Sequence, residues 1–313
     1  MMPFKQRHLR YFVTVAEERQ ITRAARKLHI AQPALSQAIA QLESEIGIEL
    51  LERHSRGVTL TPAGEAFLVK ARIALAAGDD AADTARWLAR AARDAMEVGF
   101  VGPPPTLNAP ELFAAFEDSH PGAKDSFRDL PFPCGATRSW LGEVDVAFCH
   151  LPTVGPGVDV QAVRLEPRAV VAHNSHSLAR RTELTVAEVL DETFLSYHPD
   201  VQPTWAGFHS LDDHRGGPPQ ATTVDRAATT MQMGGIMASR RAITTLPLCD
   251  ARLAQQVLPV VAIPLSDADP AVLSLVWRRE NHNPLVHALV AFAANLAESQ
   301  SAAGYLSRDG VGA

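Results

Sequence analysis

The chain has 313 residues, 46% of them hydrophobic, which is enough for two or three domains with buried cores. Its formal net charge of −6 excludes a uniformly basic nucleic-acid coat, yet residues 1–62 carry nine Lys/Arg against six carboxylates, leaving −9 for the remainder. A basic N-terminal segment on an acidic body fits DNA binding confined to one module.

In chain order, HLRYFVTVAEE places Leu9, Phe12, Val13 and Ala16 on one helical stripe. Thr22–Leu42, TRAARKLHIAQPALSQAIAQL, then reads as two short helices around a tight connection. Thr22 is a good N-cap, with Ala24, Ala25 and Leu28 available for packing. His29 to Gln32 break the pattern, and Pro33 falls in the first turn of the next helix, where proline is tolerated. There Leu35, Ala38, Ile39 and Leu42 follow helical spacing toward a core. The remaining face, Pro33, Ser36, Gln37 and Ala40, is small and polar and carries no carboxylate. Such a face can lie in a phosphate-lined groove and bond base edges. These residues alone fit an ordinary helical hairpin in a larger core equally well. Downstream, Ile46, Ile48, Leu50 and Leu51 are apolar, and Arg53 to Gly57 form a polar tip before strand-like Val58–Leu60. That is the pattern of a two-stranded wing with arginines at its tip. Thr61-Pro62 starts a new helix.

Residues 4–92 closely resemble the N-terminal region of LysR-type transcriptional regulators. LRYFVTVAEE, TRAARKLHIAQPALSQAIAQLESEIGIELLER and TPAGEAFL match at the family's order and spacing. The resemblance implies an α/β protein with an N-terminal winged helix-turn-helix over residues 1–61 and a long linker and dimerisation helix over 62–92. A two-subdomain, periplasmic-binding-protein-like effector domain follows over 93–300, with 301–313 a flexible tail. Thr22, Gln32, Pro33, Ser36 and Gln37, with Arg53 and Arg56 on the wing, are the expected DNA contacts. The expected partners are double-stranded DNA, a small-molecule effector and further copies of the chain as homodimer or homotetramer. RNA polymerase is allowed as another; no membrane and no cofactor is expected. Two departures bear on base preference: Gln37 stands where the family often has Arg or Lys, and Ala31 where Ser commonly precedes Gln-Pro.

Pro62 to about Ala92 reads as one alanine-rich helix of ~30 residues, some 45 Å long. Its apolar stripe needs a cover, and the resemblance supplies the same helix of a second subunit. Beyond Ala95 the pattern becomes α/β. Strands are expected at Met96–Val101, Lys124–Leu130, Val144–Cys149 and Val160–Leu165, with a helix over Thr106–Phe116 and a short one ending at Ser139–Leu141. A turn falls at Gly155–Gly157, and a second α/β unit starts at Ala169–Ala172. It continues with a short helix capped at Leu184-Thr185, a strand Thr193–Tyr197, a loop His209–Pro219, and Thr222–Asp225 leading into a helix from Arg226 to about Ala238. Strands Ala242–Leu246 and Val257–Ile263 complete it. Leu273–Trp277 and the helix Pro284–Leu296 return to the first unit, and the tail from Ser299 is expected to fray. Subdomain I thus takes about 93–163 and 264–300, and subdomain II about 164–263. The alternation predicts a largely parallel sheet covered on both faces.

Two such units joined twice leave a crevice at the carboxyl ends of their strands, where α/β proteins bind small molecules. By position its expected lining is Pro104, Thr106, Asn108, Pro131, His150, Tyr197, Val224 and Pro247. Three successive prolines, Pro103–Pro105, have no N–H to offer a carboxylate. The expected ligand is therefore held mainly by apolar contact, with Thr106, His150 and Tyr197 as polar anchors. The three cysteines, Cys134, Cys149 and Cys249, are scattered, and MMPFKQRHLRYF lacks the apolar stretch of an export signal, so a reducing cytoplasm is expected. A solute receptor or an enzyme on the same fold are the alternatives; no GxSxG, P-loop or Rossmann fingerprint occurs to favour an enzyme.

Overall fold

Three helices whose apolar residues recur at helical spacing open the chain: α1 (Gln6–Glu18), α2 (Ile21–Lys27) and α3 (Gln32–Ile46). Leu9, Phe12 and Val15 of α1, Ala24 and Ala25 of α2, and Leu35, Ile39 and Leu42 of α3 share one buried cluster. Each large apolar side chain there contributes about 1.5–3 kcal/mol. The chain leaves α1 through Arg19 in the left-handed region (φ 54), with only Gln20 before the next helix. Helix α2 therefore starts earlier than its sequence suggests. Gln20 holds the cap position, and Thr22, expected as the cap, is an exposed second-position residue. Strands β1 (Leu51–His54) and β2 (Gly57–Leu60) pair antiparallel as the wing. Glu43 clips the wing to α3 by accepting from Leu50 N and Leu51 N at 2.9 and 3.0 Å. Gly57 (φ 143) lies so close to α1 that a Cβ would sit 2.4 Å from the Arg19 carbonyl oxygen, which itself accepts from Val58 N at 3.0 Å.

The computed structural model describes residues 4–55, 57–103, 109–133, 141–151, 157–239 and 242–302. Two compact units divide the chain, Met1–Asp83 and Thr84–Ala313. Helix α4 (Pro62–Ala91) crosses that division. Its start is the one the Thr-Pro pair signals: Thr61 Oγ1 accepts from Gly64 N at 2.9 Å.

The second unit contains two five-stranded sheets. Sheet I is built from β3 (Ala95–Phe100), β4 (Lys124–Asp129), β5 (Val146–Leu151), β6 (Val158–Glu166) and β12 (Ala271–Arg278), in the order β4-β3-β5-β12-β6. Sheet II is built from β7 (Arg168–His173), β8 (Phe194–Tyr197), β9 (Thr222–Ala227), β10 (Ile243–Pro247) and β11 (Val260–Pro264), in the order β11-β7-β10-β8-β9. The chain passes into sheet II at Pro167 and returns after Pro264, the two crossings that the strand pattern implies. Helices α5 (Ala109–Ser119) and α10 (Pro284–Ala302) cover sheet I over a core of Phe100, Phe116, Phe148, Leu275 and Leu289.

Several expectations need correction. The sheets are mixed rather than largely parallel: β12 runs antiparallel to both β5 and β6, and β7 antiparallel to both β10 and β11. A strand that returns through a crossing enters its sheet from the opposite end, which reverses its direction. Thr222–Ala227 is strand β9, parallel to β8, and the following helix starts only at Thr230 as α8 (Thr230–Met237), capped by Thr229. The β-branched run and pairing with β8 outweigh the capping pattern of Thr-Val-Asp. The segment expected as a loop from His209 instead closes α6 (Pro203–Ser210) and holds α7 (Asp212–Arg215). Pro247 both ends β10 and precedes α9 (Leu248–Val257). The short helix after Thr185 is a 3₁₀ turn, Val186–Glu188, with a Thr185/Glu188 capping box. Helix α10 continues through Ser299 to Ala302. The expected Thr106 cap, most of the short helix before Leu141, and Gly155–Pro156 lie outside the described residues.

Candidate functional site

Two places concentrate polar chemistry. The first is the outer face of α3. With Leu35, Ile39 and Leu42 buried, the helical period turns Gln32, Pro33, Gln37 and Ala40 outward, with Ser36 half-buried between them. Gln32 Nε2 donates to Ser36 Oγ at 3.0 Å, so these two side chains act as one polar group. Gln37 offers both an acceptor and a donor, the pairing that adenine presents in a major groove. Arg53 is exposed on β1 opposite Val58; Arg56 lies outside the described residues. Thr22 is exposed at the start of α2. Arg23 and Lys27 meet Glu18 at 3.4 and 3.0 Å. The Lys27 hydrogen bond and the nearby positive charges lower the Glu18 carboxyl below its ordinary range. These exposed pairs add little stability, but they orient two cations on the surface of α2.

The second place lies between sheets I and II. Phe132, after β4, stands against Trp205 of α6 at a ring distance of 4.4 Å and against Tyr197, the last residue of β8, at 5.9 Å. Backbone bonds tie the same edges: Phe132 N donates to Ala228 O at 3.1 Å and Gln202 N to Pro133 O at 2.8 Å. Tyr197 Oη and Thr244 Oγ1 are 3.0 Å apart, and burial raises the Tyr197 phenol above its ordinary range. His150, near the end of β5, sits between two carboxylates, with Nε2 3.6 Å from Glu166 and Nδ1 4.0 Å from Asp250. Cys249 Sγ donates to Glu166, and Arg164 Nε does so at 2.8 Å. Burial would raise the Glu166 carboxyl, but His150, Cys249 and Arg164 together hold it at about 2. Burial and the two carboxylates raise the Cys249 thiol, so it stays protonated.

Arg168, 1% exposed at the start of β7, lies 3.9 Å over the Phe208 ring and donates to Thr245 Oγ1 at 2.9 Å and to the Phe208 carbonyl. Burial lowers its guanidinium to about 10, with Asp213 and Asp269 opposing the shift. His209 of α6 is 3% exposed, its ring tilted by 54° against Trp205 at 4.1 Å, with Nδ1 2.7 Å from the Thr245 carbonyl. The carbonyl fixes Nδ1 as the protonated nitrogen. Burial, with the charges of Arg168 and His150, lowers His209 to about 3 against the weaker pull of that carbonyl.

A lowered histidine pKa has a definite consequence for stability. The unfolded chain takes up a proton at His209 below about 6.5, and the folded chain does so only near 3. Stability therefore falls as pH drops through that window, by about 2 kcal/mol between pH 6.5 and 5. His209→Phe keeps the ring packing and removes the titration. Urea denaturation at pH 7 and pH 5 should show a smaller acid loss in the variant; an equal loss in both proteins would mean that His209 titrates normally.

Of the expected crevice residues, His150 stands between Glu166 and Asp250, Tyr197 stands against Phe132 and Trp205, and Pro247 is buried opposite Arg168 in the β7–β10 ladder. Pro131 is exposed beside Phe132. Val224 does not join them. It is 97% exposed on edge strand β9, because strand alternation turns its neighbour Thr223 inward to bond Ser196 N. Pro104, Thr106 and Asn108 lie outside the described residues. Sequence reading placed Leu130–Phe132 and Thr245–Pro247 at the crevice mouth and missed Trp205, His209, Arg168 and Thr244. Glu166-Pro167-Arg168, two charges around a proline between apolar strands, and the Thr pair in β10 were the available signals. Among the described residues there is no group of three metal-ligating side chains, and no helix is long and apolar enough to cross a membrane.

Comparison with known proteins matches both parts. Residues 6–65 fit the bacterial regulatory helix-turn-helix family of lysR type, and residues 89–298 fit the LysR substrate binding domain. The HTH-type transcriptional regulator AlsR of Bacillus subtilis is 29% identical over 286 residues, covering 90% of this chain and 92% of AlsR. The HTH-type transcriptional regulator BenM of Acinetobacter baylyi is 30% identical over 267 residues, covering 84% of this chain and 86% of BenM. The crystal structure of a full-length BenM mutant superposes with a TM-score of 0.52 at 26% identity, covering 95% of this chain and 97% of that one.

Proposed function

The chain belongs to the LysR family of DNA-binding transcriptional regulators with an effector-binding domain, and on that premise we propose how its own residues divide the work. Helix α3 enters the major groove, with Gln37 reading a base and the Gln32–Ser36 pair and Pro33 fitting the groove wall. Thr22, Arg53 and Arg56 contact phosphate, which fixes register without reading sequence. The observation that carries this reading is the outward face of α3 from Gln32 to Ala40, which carries no carboxylate while Leu35, Ile39 and Leu42 pack the other face. A small-molecule effector sits between sheets I and II and acts by its differential affinity for two hinge angles. The protein turns over no substrate and works as a homo-oligomer in the cytoplasm, paired through α4.

The test is selection of duplexes from random-sequence DNA with the wild-type chain and with Gln37→Ala. The variant should lose preference at one base position, a discrimination of about 1–3 kcal/mol. Recovery of the same motif by both proteins would remove Gln37 from base readout.

A further inference from the structure

The last turns of α4 grip one short segment of sheet I's connection. Arg86 Nη2 donates to the Gly142 carbonyl at 3.3 Å, and Trp87 Nε1 to the Val144 carbonyl at 3.3 Å. Arg90 Nε donates to Asp145 Oδ2 at 2.5 Å. Trp87 is buried, with the Arg278 guanidinium 4.9 Å over its ring. Asp145 is in turn fixed to the sheet by Glu97 N at 2.8 Å and Asn281 Nδ2 at 3.2 Å.

The other side of the same segment faces the space between the sheets. Leu141 and Val144 belong to the core that also holds Leu130, Phe132, Leu195 and Trp205. Within residues 141–145, Leu141 and Val144 thus turn their side chains to the crevice core, while the Gly142 and Val144 carbonyls and the Asp145 carboxylate are held by α4. A change in hinge angle that repacks Phe132 against Trp205 must move Leu141 and Val144, since close-packed cores shift between discrete arrangements rather than deform smoothly. The Gly142 and Val144 carbonyls move with them. Hydrogen bonds to those carbonyls are directional, and the Arg90–Asp145 pair is largely desolvated, so α4 follows rather than slips.

We propose that residues 141–145, held by Arg86, Trp87 and Arg90, form the relay that passes the state of the crevice to helix α4. This rests on the reading of the crevice as the effector site. Arg86, Trp87 and Arg90 are positioning residues: they touch neither effector nor DNA.

The experiment uses the full chain and a duplex selected by the wild type from random-sequence DNA. Phe132→Ala stands in for an effector by opening the aromatic contact between the sheets. In an otherwise wild-type chain it should change the Kd for that duplex by about fivefold or more. In the Trp87→Phe, Arg90→Gln background the same substitution should change it less than about twofold. Replacing Arg90→Gln by Arg90→Lys should restore the larger response. Amide exchange in β5 and β12 at wild-type levels establishes that sheet I is intact. Should the double background fail to fold, Trp87→Phe alone, which loses the N–H and part of the ring but keeps an aromatic side chain, takes its place. An undiminished response in the altered background overturns the relay alone. No response to Phe132→Ala in the wild-type background overturns the regulatory reading of the crevice, and the relay with it.

Discussion

Ile73→Asp is expected to convert the full chain to a monomer and to weaken binding of a selected two-half-site duplex by about 100-fold or more, the gain that two linked reading heads provide. Helix α4 leaves Val69, Ile73 and Leu88 58%, 59% and 64% exposed. Ala66 and Ala77 share the Val69/Ile73 face, and alanine lets a second helix approach closely. A stripe of that kind on a 30-residue helix needs a cover, and in the proposed pairing a second copy of α4 supplies it. A carboxylate at its centre would be buried without a partner in the pair. Leu88→Asp should act in the same direction. Leu75→Asp should not, because Leu75 packs on the core of the first unit and its loss would destabilise that unit instead. Sedimentation velocity separates these cases, and a dimer unchanged by Ile73→Asp would place the interface elsewhere.

Asp145→Ala should cost the second unit about 3–5 kcal/mol, the penalty for breaking a buried ion pair by removing one partner. The Asp145 side chain has no exposure and accepts from Arg90, from Glu97 N and from Asn281. Its removal takes the acceptor from the Glu97 N–H and from a mostly buried guanidinium, while Asn281 Nδ2 keeps the Asp145 carbonyl at 3.0 Å. Around 10 °C of melting temperature follows for a unit of this size. Asp145→Asn keeps the shape and one acceptor oxygen and should lose less. A melting temperature within a degree of wild type for Asp145→Ala would show that solvent reaches Arg90 readily and that the network is not structural. The relay is tested through Trp87 and Arg90 for the same reason: Asp145 is too deeply tied into the sheet to separate signalling from folding.

Much of the first unit was legible because its contacts are local. The stripe through Leu9 and Phe12, Pro33 at the start of α3, and the Thr61-Pro62 start all depend on residues a few positions apart. Even there the start of α2 was misplaced, since Arg19's left-handed turn is set by α1's end rather than by Thr22. In the second unit the strands stand close to where β-branched runs put them. Thr222–Ala227 went to a strand only because β8 was there to pair with it. α6 and α9 form behind Pro203 and Pro247, prolines that signal a helix start as readily as a strand end.

The sequence by itself determined the order of the elements, the helix-turn-helix with its polar face at Gln32, Pro33, Ser36 and Gln37, and the two crossings that create a crevice. These follow from hydrophobic period and turn chemistry, which act within a few residues. Only the tertiary structure decided strand direction, which face of α4 stays uncovered, and which side chains meet between the sheets. Arg168 and Thr245 touch across 77 positions and His209 and Thr245 across 36. Val224, adjacent to residues that do face inward, points to solvent. Such meetings depend on which strands become neighbours and which helix packs on them, a non-local outcome that no window of the chain encodes.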